Sequence, residues 1–158
     1  MNAQAPTQKT ALVIGATGSI GGAVAEALLA HGWSVRALSR SPETAQRSGP
    51  AGVDWIRGDA MSETDVTAGA IGCQAIFHGA NPPGYADWAR KQPAMLEAVI
   101  GAARATGARI VFPGNVYNFG PDAWPRFDED APQNPRTRKG AIRVALEQRL
   151  EEVSGSGV

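Results

Sequence analysis

The chain has 158 residues, and its 15 lysines and arginines balance its 15 aspartates and glutamates. This length fits one domain with a core of its own, and the balanced charge argues against a nucleic-acid-binding surface, which usually carries a basic excess. The single cysteine excludes an internal disulfide, and no apolar stretch approaches the roughly 20 residues that cross a bilayer. Residues 1–10 lack the apolar core of a signal peptide, so we expect a cytoplasmic protein without membrane partners.

Short apolar runs alternate with helix-forming segments along the chain. The sequence predicts strands over residues 11–14, 33–38, 53–57, 75–78 and 109–112. It predicts helices over residues 23–30, 42–47, 62–70, 87–106 and 138–153. Gly32 and Gly107 are expected to end two of these helices in the left-handed conformation, and Ser62 with Asp65 has the spacing of a capping box. The proline-rich residues 113–136 are expected to be irregular.

Strands that alternate with helices predict an α/β fold with a parallel sheet covered on both faces. Because crossover connections are right-handed, we expect a Rossmann-type doubly wound sheet of five strands in the order 3-2-1-4-5. A helix after the fifth strand would normally lead to a sixth strand, and the sequence contains none. We therefore expect one dinucleotide-binding domain over residues 1–158.

Three glycines at intervals of three residues join the first predicted strand to the first predicted helix. Gly15 permits the tight turn, Gly18 lets the backbone approach a diphosphate, and Gly21 lets the helix pack closely on the strand. The start of a helix offers free N–H groups and partial positive charge to phosphates. The expected donors are Thr17, Ser19 and Ile20. The pattern predicts a dinucleotide site, with a ligand-free glycine turn as the alternative.

The end of the second strand bears on which dinucleotide binds. NAD-binding proteins usually place an acidic residue there, which accepts hydrogen bonds from the ribose and repels a 2′-phosphate. This chain has Ser39 and Arg40 instead, and its first acidic residue is Glu43. Since arginine binds phosphate through two N–H donors, NADP is favoured over NAD. The alternative is a solvated surface arginine.

Further cofactor contacts are expected where the third and fourth strands end. Asp59 is a candidate for hydrogen bonding to the adenine amino group with Ala60 packed beside the ring, although Asp59 is equally well explained as a turn residue. Gly79, Ala80 and Asn81 follow the fourth strand, where small residues let the backbone pass a ribose.

The two histidines and the acidic residues do not predict a metal site. His78 lies inside an apolar run and is expected to be packed rather than catalytic. His31 lies near a predicted helix end and is expected to be solvated.

Together these residues resemble the extended and atypical short-chain dehydrogenase/reductases, which include the NAD-dependent epimerase/dehydratase group. The resemblance runs from Lys9 to about Leu150 and rests on residues 15–21, Arg40, Gly58-Asp59 and the strand end at residues 78–80. It implies a Rossmann fold with NAD(P) at the carboxyl ends of the strands. It also implies a small C-terminal substrate domain, which this chain would lack, so we expect a fragment or a reduced form of the family.

The family's catalytic residues are replaced in this chain. The family has a Ser or Thr after the fifth strand and a Tyr-x-x-x-Lys pair at the start of the next helix. Here Asn115 follows the strand, while Lys139 and Arg143 stand at the Tyr and Lys positions. Lys139 would act as acid/base if neighbouring positive charge favours its neutral form, or Tyr117 would act from the loop with Asn115 positioning substrate or water. In the third interpretation Lys139 and Arg143 form a charged helix surface, Tyr117 anchors the loop, and the site has no chemistry.

The leading hypothesis is an NADP-linked oxidoreductase or epimerase that acts on a small carbonyl or sugar-type substrate. The alternative is a non-catalytic NADP(H)-binding sensor or interaction module. The loop that contains Trp124 and Phe127 is a candidate cover for a substrate pocket. An apolar stripe on the last helix suggests a homodimer.

Overall fold

Five strands alternate with five helices over residues 8–155, the part of the chain that the computed structural model describes. The strands are β1 (Thr10–Ile14), β2 (Ser34–Ser39), β3 (Asp54–Arg57), β4 (Ala75–His78) and β5 (Arg109–Val111). The helices are α1 (Ser19–Ala30), α2 (Pro42–Ser48), α3 (Glu63–Ala70), α4 (Trp88–Thr106) and α5 (Arg138–Ser154). Most of the polar N-terminal segment, residues 1–7, lies outside the described residues.

The strands form one parallel sheet in the order β3-β2-β1-β4-β5, which confirms the predicted topology. On the central strand β1, Val13 lies opposite Ala37 of β2 and Phe77 of β4. Since all strands run the same way, their carboxyl ends meet along one edge. The loops after the strands therefore meet there, as in other doubly wound sheets.

The helix boundaries differ from the predicted ones mainly at α1, which begins at Ser19 instead of residue 23. Gly22 already donates the first helical hydrogen bond to the carbonyl of Gly18, at 2.8 Å. The glycine-rich segment is thus partly helical. The low helix propensity of glycine is a weak preference, and packing in the folded protein overrides it here. Gly32 (φ +77°) and Gly107 (φ +73°) are left-handed, as predicted.

The capping box at α3 is half formed. The Ser62 hydroxyl accepts a hydrogen bond from the Asp65 amide at 3.3 Å, as the motif requires. The Asp65 carboxylate accepts from the Asp59 amide at 2.8 Å instead of returning to Ser62. Aspartate is one methylene shorter than the usual glutamate, and here it ties the turn after β3 to the helix.

Both faces of the sheet are buried. One face packs on α3 and α4, with a core cluster that includes Leu12, Ile76, Val66 and Val99, and the other packs on α1. Pro93 lies inside α4, which runs without interruption from residue 88 to residue 106.

The apolar stripe of α5 packs on α4 within the chain. Leu146 and Val153 of α5 form a buried cluster with Leu96 and Ile100 of α4. The stripe is therefore not a free surface and gives no support to a homodimer, which stays a prediction. Among the described residues, no helix is long and apolar enough to cross a membrane.

Candidate functional site

The glycine turn brings the ends of β1 and β4 into direct contact. Gly15 has φ +94°, and a Cβ built on it would lie 2.7 Å from the Ala80 amide nitrogen. The Gly79 amide donates to the Ile14 carbonyl at 2.9 Å, while a Cβ on Gly21 would overlap the Gly15 carbonyl oxygen. Gly15 and Gly21 are each required by a close backbone approach, so a larger residue at Gly15 would push the turn and the β4 loop apart.

The first turn of α1 has amide groups available for an anion. Ser19 and Ile20 are exposed and precede the first helical hydrogen bond. Gly18 is the N-cap residue, and no side chain accepts a capping hydrogen bond from this turn. The first turn contains no acidic residue. Amides of exposed residues at the positive end of a twelve-residue helix are the donors that a diphosphate requires, so these residues fit a dinucleotide.

The loop after β4 is held in place by α4. The Asn81 side-chain oxygen accepts from Trp88 Nε1 at 2.9 Å and from Gln92 Nε2 at 2.7 Å, and Gln92 Nε2 also donates to the Ala80 carbonyl at 2.9 Å. The Asn81 side-chain oxygen therefore anchors the loop. Trp88 and Gln92 were missed by the sequence analysis, although a glutamine buried among apolar α4 positions is a signal for such a role.

The end of β2 presents Arg40 to solvent beside a second arginine that the sequence analysis missed. Arg57, the last residue of β3, pairs in register with Ser39. Its Nη1 donates to the Arg40 carbonyl at 2.8 Å, and its Nη2 contacts Glu43 Oε1 at 2.6 Å. The predicted strand order already placed the ends of β2 and β3 side by side, which was the available signal.

Asp59 takes the turn conformation that its alternative interpretation predicts. Its Oδ1 accepts from the Met61 amide at 2.9 Å, two residues ahead. Ala60 packs partly against the core cluster between the sheet and α3. The adenine contact of these two residues stays a prediction.

The four predicted catalytic residues lie on two segments that contact each other. Asn115 Oδ1 accepts from the Tyr117 amide at 2.8 Å and so begins the 3₁₀ turn Val116–Asn118. Gly140, in the first turn of α5, packs so closely that a Cβ there would overlap the Tyr117 carbonyl oxygen. The turn after β5 and the start of α5 are therefore fixed against each other, with part of the Tyr117 ring exposed.

Lys139 contacts a second tyrosine that sequence reasoning did not consider. Its Nζ lies 3.5 Å from the centre of the Tyr85 ring, a cation–π contact. Tyr85 belongs to the 3₁₀ turn Pro83–Tyr85 and packs edge-on against Trp88, with 5.7 Å between ring centres. The contact joins the start of α5 to the loop after β4.

Arg143 is buried rather than part of a charged helix surface. Only 6% of it is exposed. Its Nη2 donates to the Pro113 carbonyl at 2.7 Å and to Glu147 Oε1 at 3.0 Å, and its guanidinium lies 4.3 Å from the centre of the Phe112 ring. Glu147 pairs with it from one turn further along α5, and the expected surface placement was wrong because the loop after β5 folds over the arginine.

His78 is packed, as expected. It is 1% exposed and stacks on Phe112, with 5.6 Å between ring centres. Burial, with a smaller contribution from the positive charge of Arg143, lowers the pKa of His78 to about 4. A neutral imidazole at this depth is part of the core. His31 is exposed at the end of α1, where its Nδ1 lies 2.8 Å from the Ala27 carbonyl oxygen.

An apolar cavity of about 560 Å³ opens beside the turn after β5. Its lining residues all come from the loop between β5 and α5: Val116, Phe119, Gly120, Pro121, Trp124 and Phe127. Trp124 is 77% exposed. The cavity is adjacent in the chain to Asn115 and Tyr117, so a ligand in it would lie near both.

Comparison with known proteins places this arrangement in a family. The family described as NAD(P)H-binding matches residues 15–149. A ketoreductase of Stigmatella aurantiaca that acts on 4-hydroxy-2-methyl-3-oxo-4-farnesyl-3,4-dihydroquinoline-1-oxide is 29% identical over 153 residues, which are 92% of this chain and 46% of the relative.

Solved structures share the fold. UDP-glucose 4-epimerase from Brucella ovis, in complex with NAD, superposes with a TM-score of 0.80 at 20% identity over 94% of this chain and 49% of that chain. Uronate dehydrogenase from Agrobacterium tumefaciens superposes with a TM-score of 0.74 at 24% identity, over 94% of this chain and 57% of that chain. The chain thus spans about half of the length of these proteins.

The family match covers most of the chain, and the glycine turn, the strand order and the free amides of α1 all fit a nicotinamide dinucleotide. The predicted resemblance is confirmed by the family and by the structural relatives. The chain belongs to the NAD(P)H-binding family, with the Rossmann fold of the extended and atypical short-chain dehydrogenase/reductases of the epimerase/dehydratase type.

Proposed function

We propose that this chain is the cofactor-binding domain of an NADP-linked oxidoreductase or epimerase that acts on a small carbonyl substrate. The observation that carries the proposal is the uncapped, exposed first turn of α1, held against the end of β4 by the close approach of Gly15. The Ser19 and Ile20 amides would donate to the diphosphate, with the Thr17 hydroxyl beside them. Ala80 and Asn81 would border the nicotinamide ribose.

NADP is the proposed form of the cofactor because the end of β2 is basic. Arg40 is exposed directly after Ser39, where a 2′-phosphate would lie in a Rossmann fold. A guanidinium meets two phosphate oxygens with parallel N–H donors, and the neighbouring hydroxyl adds a third. NAD is the alternative, and it would leave these groups without a phosphate.

When bound, the nicotinamide supplies the hydride acceptor or donor of the reaction. The chain must then hold and move a proton at the substrate oxygen, and Lys139 with Tyr117 is the proposed source. Both lie where the turn after β5 meets α5, and contact with the Tyr85 ring fixes the Lys139 ammonium. Asn115 and Arg143 act as positioning residues, since Asn115 begins the Tyr117 turn and Arg143 holds the Pro113 carbonyl.

The cavity beside Tyr117 favours an apolar carbonyl substrate over a sugar nucleotide. Its walls are aromatic and aliphatic, and its lining includes no charged side chain. A sugar nucleotide would lose hydrogen bonds to water without replacing them on such a surface. A flat apolar ketone would gain from stacking on Trp124 and Phe127.

The enzyme is proposed over the sensor because the named relatives are ketoreductases, epimerases and dehydrogenases. The domain is proposed to be a single unit over residues 1–158 that works with the substrate-binding part that the family resemblance implies. The chain spans about half of those relatives, so the activity of the whole protein belongs to this proposal.

NADPH oxidation with a panel of apolar ketones and sugar nucleotides tests the proposal. We expect turnover with apolar ketones, a drop of about 10²-fold or more in kcat for Lys139→Met, and a similar drop for Tyr117→Phe if the phenol passes the proton. Lys9→Met is the control, because Lys9 precedes β1 at the amino ends of the strands, away from the proposed site. The kcat of this variant should equal that of the parent.

The variant Tyr85→Phe keeps the ring under Lys139 and removes only its hydroxyl. Full activity in this variant supports Lys139 as the proton donor, whereas loss of turnover would move that role to the Tyr85 phenol. NADPH binding without turnover of any ketone or sugar nucleotide, in parent and variants alike, would contradict the enzyme and support the sensor.

A further inference from the structure

Arg57 and Glu43 form an ion pair at the place where the proposed function puts the 2′-phosphate. We propose that Arg57 binds this phosphate together with Arg40, and that the Glu43 carboxylate holds Arg57 in the phosphate's place until NADP arrives. The inference rests on the proposed binding of NADP. It makes Arg57 and Glu43 the residues that set how strongly this chain prefers NADP over NAD.

The backbone places Arg57 next to Arg40. Residue 57 is in register with Ser39, and the amide of Gly58 donates to the Ser39 carbonyl at 3.0 Å. Arg57 Nη1 donates to the Arg40 carbonyl at 2.8 Å, which fixes the guanidinium under the turn that carries Arg40. Both arginine side chains therefore start from one short stretch of the carboxyl edge.

The bond between Arg57 and Glu43 can be exchanged for a bond to phosphate. Nη2 lies 2.6 Å from Glu43 Oε1, and 63% and 69% of the two side chains are exposed. A pair this exposed is worth little free energy, so a doubly charged phosphate can displace the carboxylate. Nη1 would stay on the Arg40 carbonyl while Nη2 turns to a phosphate oxygen and donates one charge-assisted hydrogen bond to it.

The charges around the site are consistent with this exchange. Arg57 pairs with Glu43 and the charge of Arg47 also acts on this carboxylate, while exposed Arg40 adds a further positive charge at the end of β2. The pKa of Glu43 is lowered below its usual value, first by a hydrogen bond from the Glu43 backbone amide and then by the Arg57 guanidinium. Glu43 is therefore ionised at neutral pH and competes with phosphate for Arg57.

A different role for Glu43 makes the opposite prediction. In NAD-specific Rossmann proteins a carboxylate near the end of the second strand accepts hydrogen bonds from the ribose hydroxyls. If Glu43 did this, removing its charge would weaken NADH binding. If Glu43 occupies Arg57, removing its charge frees the arginine and strengthens NADPH binding.

The test is the pair of dissociation constants for NADPH and NADH, measured by fluorescence titration at one ionic strength. We expect Arg57→Ala to weaken NADPH binding about tenfold and Glu43→Gln to strengthen it about threefold, with NADH changed less than about twofold in both. Arg57→Ala with Glu43→Gln should recover part of the loss, because the single variant leaves a bare carboxylate facing the phosphate.

Arg109→Ala is the matched control, since it removes an exposed arginine at the start of β5, on the opposite edge of the sheet. It should change neither constant, and circular dichroism should give the same fold for every variant.

If the parent protein binds NADPH and the variants bind it equally well, the roles of Arg57 and Glu43 are overturned and the proposed function stays in place. Weaker NADH binding in Glu43→Gln assigns the carboxylate to the ribose and also overturns the inference. Parent protein that fails to bind NADPH overturns the inference and the proposed NADP linkage together.

Discussion

His78 illustrates how the parallel sheet treats a titratable side chain in its core. Neither ring nitrogen has a hydrogen-bond partner among the described residues, and the ring stacks on Phe112 beside the buried Arg143. Protonation would bury a second positive charge next to a guanidinium. The sequence predicted the packed position because His78 lies inside an apolar run, but the arginine that helps to keep it neutral is 65 residues away in the chain.

The stability of the protein should depend on the protonation of His78. The folded pKa of about 4 lies below the unfolded value of about 6.5, so between these values the unfolded chain binds a proton that the native state excludes. We expect the free energy of unfolding to fall by on the order of 2 kcal/mol between pH 6.5 and pH 5. Urea denaturation at several pH values measures this.

The matched variant His78→Phe keeps an aromatic ring on Phe112 and cannot bind a proton. Its unfolding free energy should change less than that of the parent over the same range of pH. The range stays above the pKa of ordinary carboxylates, whose own titration would otherwise add to the slope. Equal slopes for parent and variant would contradict the assignment of the pH dependence to this histidine.

At the scale of elements, the strands and their order were predicted well because apolar runs and glycine stops are local signals. The start of α1 was missed because Gly21 and Gly22 were taken as turn residues, whereas both lie in the first turn of α1, where Gly21 packs against the Gly15 backbone. Arg57 and Tyr85 were missed for another reason. Their roles come from contacts with Arg40 and Lys139 across the fold, and no spacing along the chain encodes such contacts.

Gly21→Ala tests how the glycine turn joins α1 to β1. The new Cβ would overlap the Gly15 carbonyl, which is backbone and cannot rotate away. We expect a loss of about 1–3 kcal/mol in unfolding free energy and NADPH binding that is weaker by about tenfold or more, since the displaced turn no longer presents its amides.

Gly155→Ala is the control, because the space around Gly155 is open and its φ is −68°. It should match the parent in stability and in NADPH affinity. A Gly21→Ala protein with parental stability and affinity would show that the turn tolerates a side chain at the contact between helix and strand.

At the scale of the whole molecule, four features lie at the carboxyl ends of the strands. They are the glycine turn, the basic corner at Arg40 and Arg57, the anchored loop after β4 and the turn after β5. The family and the fold were predicted from the glycine motif in its context, and both are confirmed. The catalytic residues were not derivable in the same way, because the Tyr-x-x-x-Lys pair is replaced and the substituted residues meet through tertiary contacts.

The central claim is that a diphosphate binds at the start of α1 with the adenosine phosphate at the basic corner. A crystal structure of the protein grown with saturating NADP⁺ tests it most directly. We expect the diphosphate within hydrogen-bond distance of the Ser19 and Ile20 amides, and the 2′-phosphate against Arg40 and Arg57, with Glu43 turned away. Well-ordered crystals in which the cofactor binds elsewhere, or in which α1 begins without a ligand at saturating NADP⁺, would contradict the account.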